Sequence, residues 1–199
     1  MNTGTLAEIN AKPKKDNSRV GTKSEMKEWE ILSDEEADFV WQTIRERFEF
    51  NSRDNLSPFL KLPEPYQIYD IHLFTSYLKD KSITIDDEYY NTFNRYITDV
   101  FIKCMGSDEY IYALDWQHTS FKYNPNSPEI MPRVTHMEEF NVYFPDFYPD
   151  GDYYFFIASN FSWGYFTHPW TQELWIFGEE LIAEIVKVPQ IYLTRKFSQ

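Results

Sequence analysis

The sequence predicts an α+β fold: an antiparallel sheet of about five to six strands with helices packed on one face. Three observations carry this expectation. Two segments in the first half place apolar residues at helical spacing. From Tyr110 onward the apolar period drops to two, with short polar turns between the runs. Helical spacing returns once, after Gly178. Helices gathered at the ends of a run of strands, instead of alternating with them, belong to an antiparallel sheet covered by helices.

Residues 1–27 are polar, basic and aperiodic, and read as a flexible tail ahead of one α+β domain over 28–199. Ser33-Asp-Glu-Glu36 is a capping box, in which the serine caps the helix and Glu36 reaches back to it. Ala37, Val40, Trp41, Ile44 and Phe48 follow on one stripe, so a helix is expected over 34–48. Pro58, Pro63 and Pro65 exclude helix between Asn51 and Pro65. Tyr66–Leu73 alternates as a strand. A second helix is expected from Asp86 to Met105, with Asp86 and Asp87 at the positive end of its dipole. Its core face is Tyr89, Phe93, Ile97, Val100, Phe101 and Cys104, and Gly106 ends it. Glu109–Trp116 and Thr119–Tyr123 pair as a hairpin, and residues 124–138 read as a polar loop. Phe140–Phe144 is a further strand, followed by turn chemistry in PDFYPDG. Asp152–Ala158, Trp163–His168 and Glu173–Phe177 form an antiparallel meander. Glu179 to Lys187 is the last helix, with Leu181, Ile182 and Ile185 inward and Pro189 behind it.

Composition excludes several function classes. The 199 residues carry a formal charge of -13. Residues 1–28 hold six Lys/Arg and four acids, which leaves 13 basic against 28 acidic residues in the body. Such a body repels phosphate backbones and attracts basic surfaces, so no nucleic-acid partner is expected. With 17 Phe, 15 Tyr and 6 Trp the chain has ample material for a core. Six glycines count against a glycine-rich phosphate-binding fold, and no Walker A, G-x-G-x-x-G or G-x-S-x-G motif occurs. No run approaches 18 apolar residues, so no membrane span is expected. The N-terminal stretch has no apolar leader region, and Cys104 is the only cysteine; both fit a cytoplasmic protein.

Four segments stand out: YALDWQH at 112–118, PDGDYYFF at 149–156, WGYFTHPW at 163–170 and IFGEELI at 176–182. In combination they resemble an uncharacterised bacterial family, one of those filed as a domain of unknown function. The resemblance covers roughly 29–185 and leaves the basic tail outside. It implies an intracellular bacterial globular domain and carries no catalytic role with it.

The residues themselves offer several constellations. Asp115 and His118 are the types for a carboxylate that orients an imidazole. Strand alternation sets positions three apart on opposite sides unless a turn intervenes. The simpler role has Asp115 taking backbone N–H bonds at the hairpin end and His118 as a partly buried aromatic. His72, His118, His136 and His168 form no H-x-H or H-x-x-x-H pair, so neither a metal site nor a cofactor is expected. His168 is held extended by Pro169. Asp150-Gly151-Asp152 opens like a calcium loop but lacks the remaining ligands and reads as a turn. Alternation puts Trp163, Tyr165 and Thr167 on one face, and Gly164, Phe166 and His168 on the other. These aromatics make either a thick core or an exposed hot spot rimmed by acids.

The resulting expectation is a non-enzymatic protein-binding module with an acidic face, of immunity or antagonist type, toward a basic protein. Its contact residues would be Trp116, Tyr153, Trp163, Tyr165, His168 and Trp170. The alternative is an enzyme or small-ligand-binding domain using Asp115, His118, Asp152 and His168 near an aromatic pocket. Convergence of those four residues on a concave surface separates the two.

Overall fold

Ser33 opens the first helix through the reciprocal bonds that its spacing predicts. Its hydroxyl accepts from the Glu36 N–H, while its own N–H donates to the Glu36 carboxylate. In the computed structural model the described residues are 27–51, 60–80, 87–108, 110–137 and 140–196. Residues 1–26 of the expected tail, together with Pro58, Asp86 and Glu109, lie outside them. The elements run β1 (Trp29–Ile31), α1 (Asp34–Arg47), β2 (Tyr66–Asp70), α2 (His72–Asp80), α3 (Glu88–Met105), β3 (Ile111–Asp115) and β4 (Ser120–Tyr123). They continue with β5 (Val134–Met137), β6 (Phe140–Tyr143), β7 (Tyr154–Ala158), β8 (Gly164–His168), β9 (Glu173–Phe177), α4 (Glu179–Ile185) and β10 (Thr194–Lys196). No helix among the described residues is long and apolar enough to cross a membrane.

The fold is α+β and its strand pairings are antiparallel, but the main sheet has eight strands, not five to six. Their order is β1-β4-β3-β7-β8-β9-β2-β10, with β5 and β6 as a separate two-stranded ribbon. The hairpin β3–β4 and the meander β7–β8–β9 form as the alternation predicts. The additional strands are the short ones. β1 and β10 are three residues each and close the two edges. β5 sits inside the segment read as a polar loop, where it pairs Val134 with Tyr143. A further difference falls at Ile71–Leu73: the strand stops at Asp70, whose carboxylate accepts the His72 N–H and so starts α2. Phe74, Tyr77 and Leu78 then supply helical spacing that the preceding alternation concealed.

Helices cover both faces of the sheet, not one. α1 packs Val40, Ile44 and Phe48 against Leu114, Phe155, Phe166 and Phe177. On the opposite face α3 and α4 bring Phe93, Ile97, Phe101, Leu181 and Ile185 onto Ala113, Phe156, Tyr165 and Ile176. The central strands β3, β7 and β8 are consequently buried along their whole length. A strand covered on both faces needs apolar residues at both parities, and Tyr153-Tyr-Phe-Phe-Ile-Ala158 supplies them. Trp41 borders the core: its indole N–H donates to Ser120 Oγ at 3.1 Å, and its ring meets Phe155 edge-on at 5.5 Å. Cys104 is buried in α3, and burial pushes its thiol up to about 12, so it is an inert core residue.

One edge is fastened by a charge. Glu173, buried at the start of β9, accepts from Lys196 Nζ of β10 at 2.6 Å, Thr171 Oγ1 at 2.7 Å and Trp175 Nε1 at 2.8 Å. Burial alone would raise its pKa, but these bonds and the lysine charge outweigh burial and hold the carboxyl below its usual value of 4.5. A depressed acid stabilises the fold above its unfolded pKa and loses that contribution as pH falls through the folded value. Glu173→Gln is therefore expected to cost about 1–2 kcal/mol at pH 7. Urea titrations should show the gap to the native chain closing as pH drops below 4.5. A gap of constant size at pH 3 and pH 7 would contradict the role of the charge.

Candidate functional site

The sheet ends at its β3–β7 corner in a cavity of about 910 Å³. Asp115, the last residue of β3, lies opposite Tyr154 in register. Both line this cavity, together with Tyr90, Asn94 and Asp99 of α3. The far wall is the β5–β6 ribbon with Arg133, Val134 and Tyr143, followed by the loop that carries Asp146 and Asp150. Four carboxylates thus face two guanidinium groups, Arg95 and Arg133. Arg133 is already engaged. Its Nη1 donates to the Pro145 carbonyl at 2.8 Å, its guanidinium lies over the rings of Phe144 and Phe147, and it stands 3.9 Å from Asp146. The Tyr90 hydroxyl donates to Asp146 at 2.8 Å, and that of Tyr154 donates to Asp150.

These contacts shape the acid–base character of the cleft. Burial raises the carboxyls of Asp115 and Asp146 above the usual range. Burial, reinforced by the Asp146 charge, pushes the Tyr90 hydroxyl up to about 12. Tyr90 therefore remains a donor at neutral pH. Tyr154 is displaced upward for the same reasons, by burial and by Asp150.

Beside the cleft a turn intervenes between Asp115 and His118, and it brings them together despite their spacing. Asp115 Oδ1 accepts the Gln117 N–H at 3.0 Å, which bends the chain. His118 Nδ1 then lies 3.0 Å from Asp115 Oδ2 and 3.5 Å from Asp152 Oδ2. Asp152 Oδ1 accepts the Tyr153 N–H at 2.8 Å. The Trp116 N–H donates to the Tyr153 carbonyl at 3.1 Å and clamps the two strand ends. Asp115 thus has the backbone bond expected of it, while His118 is largely exposed instead of partly buried.

His168 does not join this group. It belongs to the opposite face of the sheet, 5.5 Å from the Tyr153 ring and 6.2 Å from that of Trp175, with Glu173 across from it in β9. Burial lowers its pKa, against the Glu173 charge, and keeps the imidazole neutral at pH 7. The expected contact aromatics divide likewise. Trp163 and Tyr165 are core residues under α3, and Tyr153 is buried under α1, so none of the three is presented to a partner. Trp116 is partly covered by Phe50 at 5.7 Å. Trp170, at the β8–β9 turn, is 71% exposed. Tyr90, Arg133, Asp146 and Tyr154 escaped sequence reasoning. The turn PDFYPDG, with two acids among aromatics, was the one local signal for them.

The comparisons agree with the resemblance carried by the LDWQH, PDGDYYFF and HPW segments. No solved structure matches the chain. Over 174 residues it is 30% identical to the uncharacterized protein YxiI of Bacillus subtilis (strain 168), a match covering 86% of this chain and all of that protein. Residues 31–182, from β1 into α4, match the family described as protein of unknown function (DUF2716). The chain therefore belongs to the DUF2716 family, and the strand ends that build the acidic cleft lie within the matched region.

Proposed function

We propose that this chain is a non-enzymatic binding module that antagonises a basic protein by taking a basic segment of it into the cleft between α3 and the β5–β6 ribbon. The carrying observation is an acidic lining with an apolar, exposed rim. Ile130 is 83% exposed, Tyr143 56% and Val134 50%, and all three line the same cleft as the carboxylates. Lysine and arginine are matched to such a surface, since their stems cover apolar area while their heads reach a charge. The surplus of acids over the whole body adds long-range attraction, screened over about 10 Å at 0.1 M salt.

The test uses a synthetic Lys/Arg-rich peptide, an acidic peptide of equal length and spermidine. The basic peptide should bind with an on-rate that falls steeply with salt. Asp99→Asn combined with Asp150→Asn should weaken it about tenfold, equivalent to about 1.4 kcal/mol. Indifference of the basic peptide to that double substitution, or equal binding of the acidic peptide, would overturn the proposal. A second reading, a small-ligand-binding domain, is favoured by the volume of the cleft, which falls within the roughly 300–1,000 Å³ of small-molecule sites. Spermidine binding as tightly as the peptide would select it.

A further inference from the structure

We propose that Asp115, His118 and Asp152 form a binding site for one divalent cation of the Zn²⁺ class. The inference goes beyond the binding role of the cleft and does not rest on it. One atom from each residue lies within 4.8 Å of the other two. The two separations from His118 Nδ1 are 3.0 and 3.5 Å. A tetrahedral ion with ligands at about 2.0–2.1 Å sets neighbouring ligand atoms about 3.3 Å apart, so these edges need little adjustment.

The protonation arithmetic favours a cation. His118 Nδ1 faces two carboxylates, and one proton on it satisfies one of them. A metal ion engages the imidazole lone pair and both Oδ2 atoms together, and it cancels the repulsion between the acids. The set is also held in place by other groups. Asp115 Oδ1 is tied to the Gln117 N–H and Asp152 Oδ1 to the Tyr153 N–H, which leaves each Oδ2 for the ion. Fixed outer oxygens of this kind orient metal-binding carboxylates. Two oxygens with one imidazole nitrogen suit an ion of intermediate softness; Ca²⁺ takes six to eight oxygens and Mg²⁺ a near-ideal octahedron. The exposed side of His118 leaves room for a fourth ligand from solvent or from a bound partner. The ligands come from the facing ends of β3 and β7, so no H-x-H spacing exists in the chain.

The full chain, stripped with EDTA and dialysed against Zn²⁺, should retain one ion per chain by elemental analysis. Calorimetric titration should show saturation at the same ratio. His118→Ala and Asp152→Asn remove direct ligands and should each weaken Zn²⁺ binding by more than the roughly 10–100-fold lost when an outer partner of a ligand is removed, whereas His136→Ala should not. In the native chain, NMR should show the His118 ring resonances shifting with Zn²⁺ occupancy, a readout that stands even where a variant folds poorly. Retention well below one ion per chain would overturn the site. So would an unchanged His118→Ala affinity in a folded variant, static His118 resonances, or Mg²⁺ and Ca²⁺ competing as equals.

Discussion

Phe101→Ala is expected to lower the unfolding free energy by about 3–5 kcal/mol, the range for removing a large aromatic from a packed core. Phe101 is fully buried at the centre of the α3 face. Its ring stacks on Phe156 at 5.3 Å and on Trp163 at 5.9 Å, and it meets Phe147 and Tyr165 edge-on at 5.5 Å each. Three of those neighbours sit on or beside sheet strands that are themselves packed on their other face. They cannot move into the vacated space without breaking ladder bonds, so the cavity persists and the cost stays near the top of the range. Phe101→Leu fills most of the volume and should cost about 1–2 kcal/mol. Urea denaturation of the two variants measures both values. Equal losses would mean that ring contacts, and not volume, decide this position.

What the sequence made legible is set by how local each signal is. α1 has its cap, stripe and stop within sixteen residues, so its limits follow from the chain alone. The meander β7–β9 has short turns and clear alternation, and its pairing follows equally. The second covered face was readable too, in the unbroken apolar run of β7, but the alternation of the neighbouring strands concealed it. β1, β5 and β10 were not readable, because three or four residues carry too little pattern and their partners are far away in sequence or lie across a turn without clear signals. At the site, Asp115 and His118 were legible as residue types, while their contact was not. It depends on a bend that the Asp115 side chain itself makes through the Gln117 N–H. The cleft was invisible for a different reason: Tyr90, Asp115 and Arg133 come from three separate parts of the chain, and only the assembled sheet brings them together. The aromatics of the WGYFTHPW segment show the converse error. Their density fits an interface and a core equally, and burial under α3 and α1 decides for the core at every position but Trp170.

Gly178→Ala should be as damaging as the loss of Phe101, at about 3–5 kcal/mol, through backbone and not through volume. Gly178 joins β9 to α4 with φ at +93° and ψ at 130°, a conformation that a side chain disfavours. A Cβ there would stand 2.5 Å from Trp163 Cβ, 2.9 Å from the Ser162 carbonyl oxygen and 2.9 Å from Trp163 Cα. Two of those three atoms are backbone, so no side-chain rotation relieves the clash. The segment is also pinned from both ends. The Gly178 N–H donates to the Pro65 carbonyl at 3.2 Å, and the Gly178 carbonyl accepts the Ile182 N–H at 3.0 Å. Relief would therefore have to move α4 away from the core that it shares with α3. Gly106 supplies the control, because it has a positive φ of +58° but no atom within 4 Å of the place a Cβ would take. Gly106→Ala should cost only the conformational share, about 1–3 kcal/mol. Thermal and urea denaturation of the two variants separate strain from collision: a wide gap between them places the larger share in the contact with Trp163, and equal losses would assign the whole effect to the backbone angle.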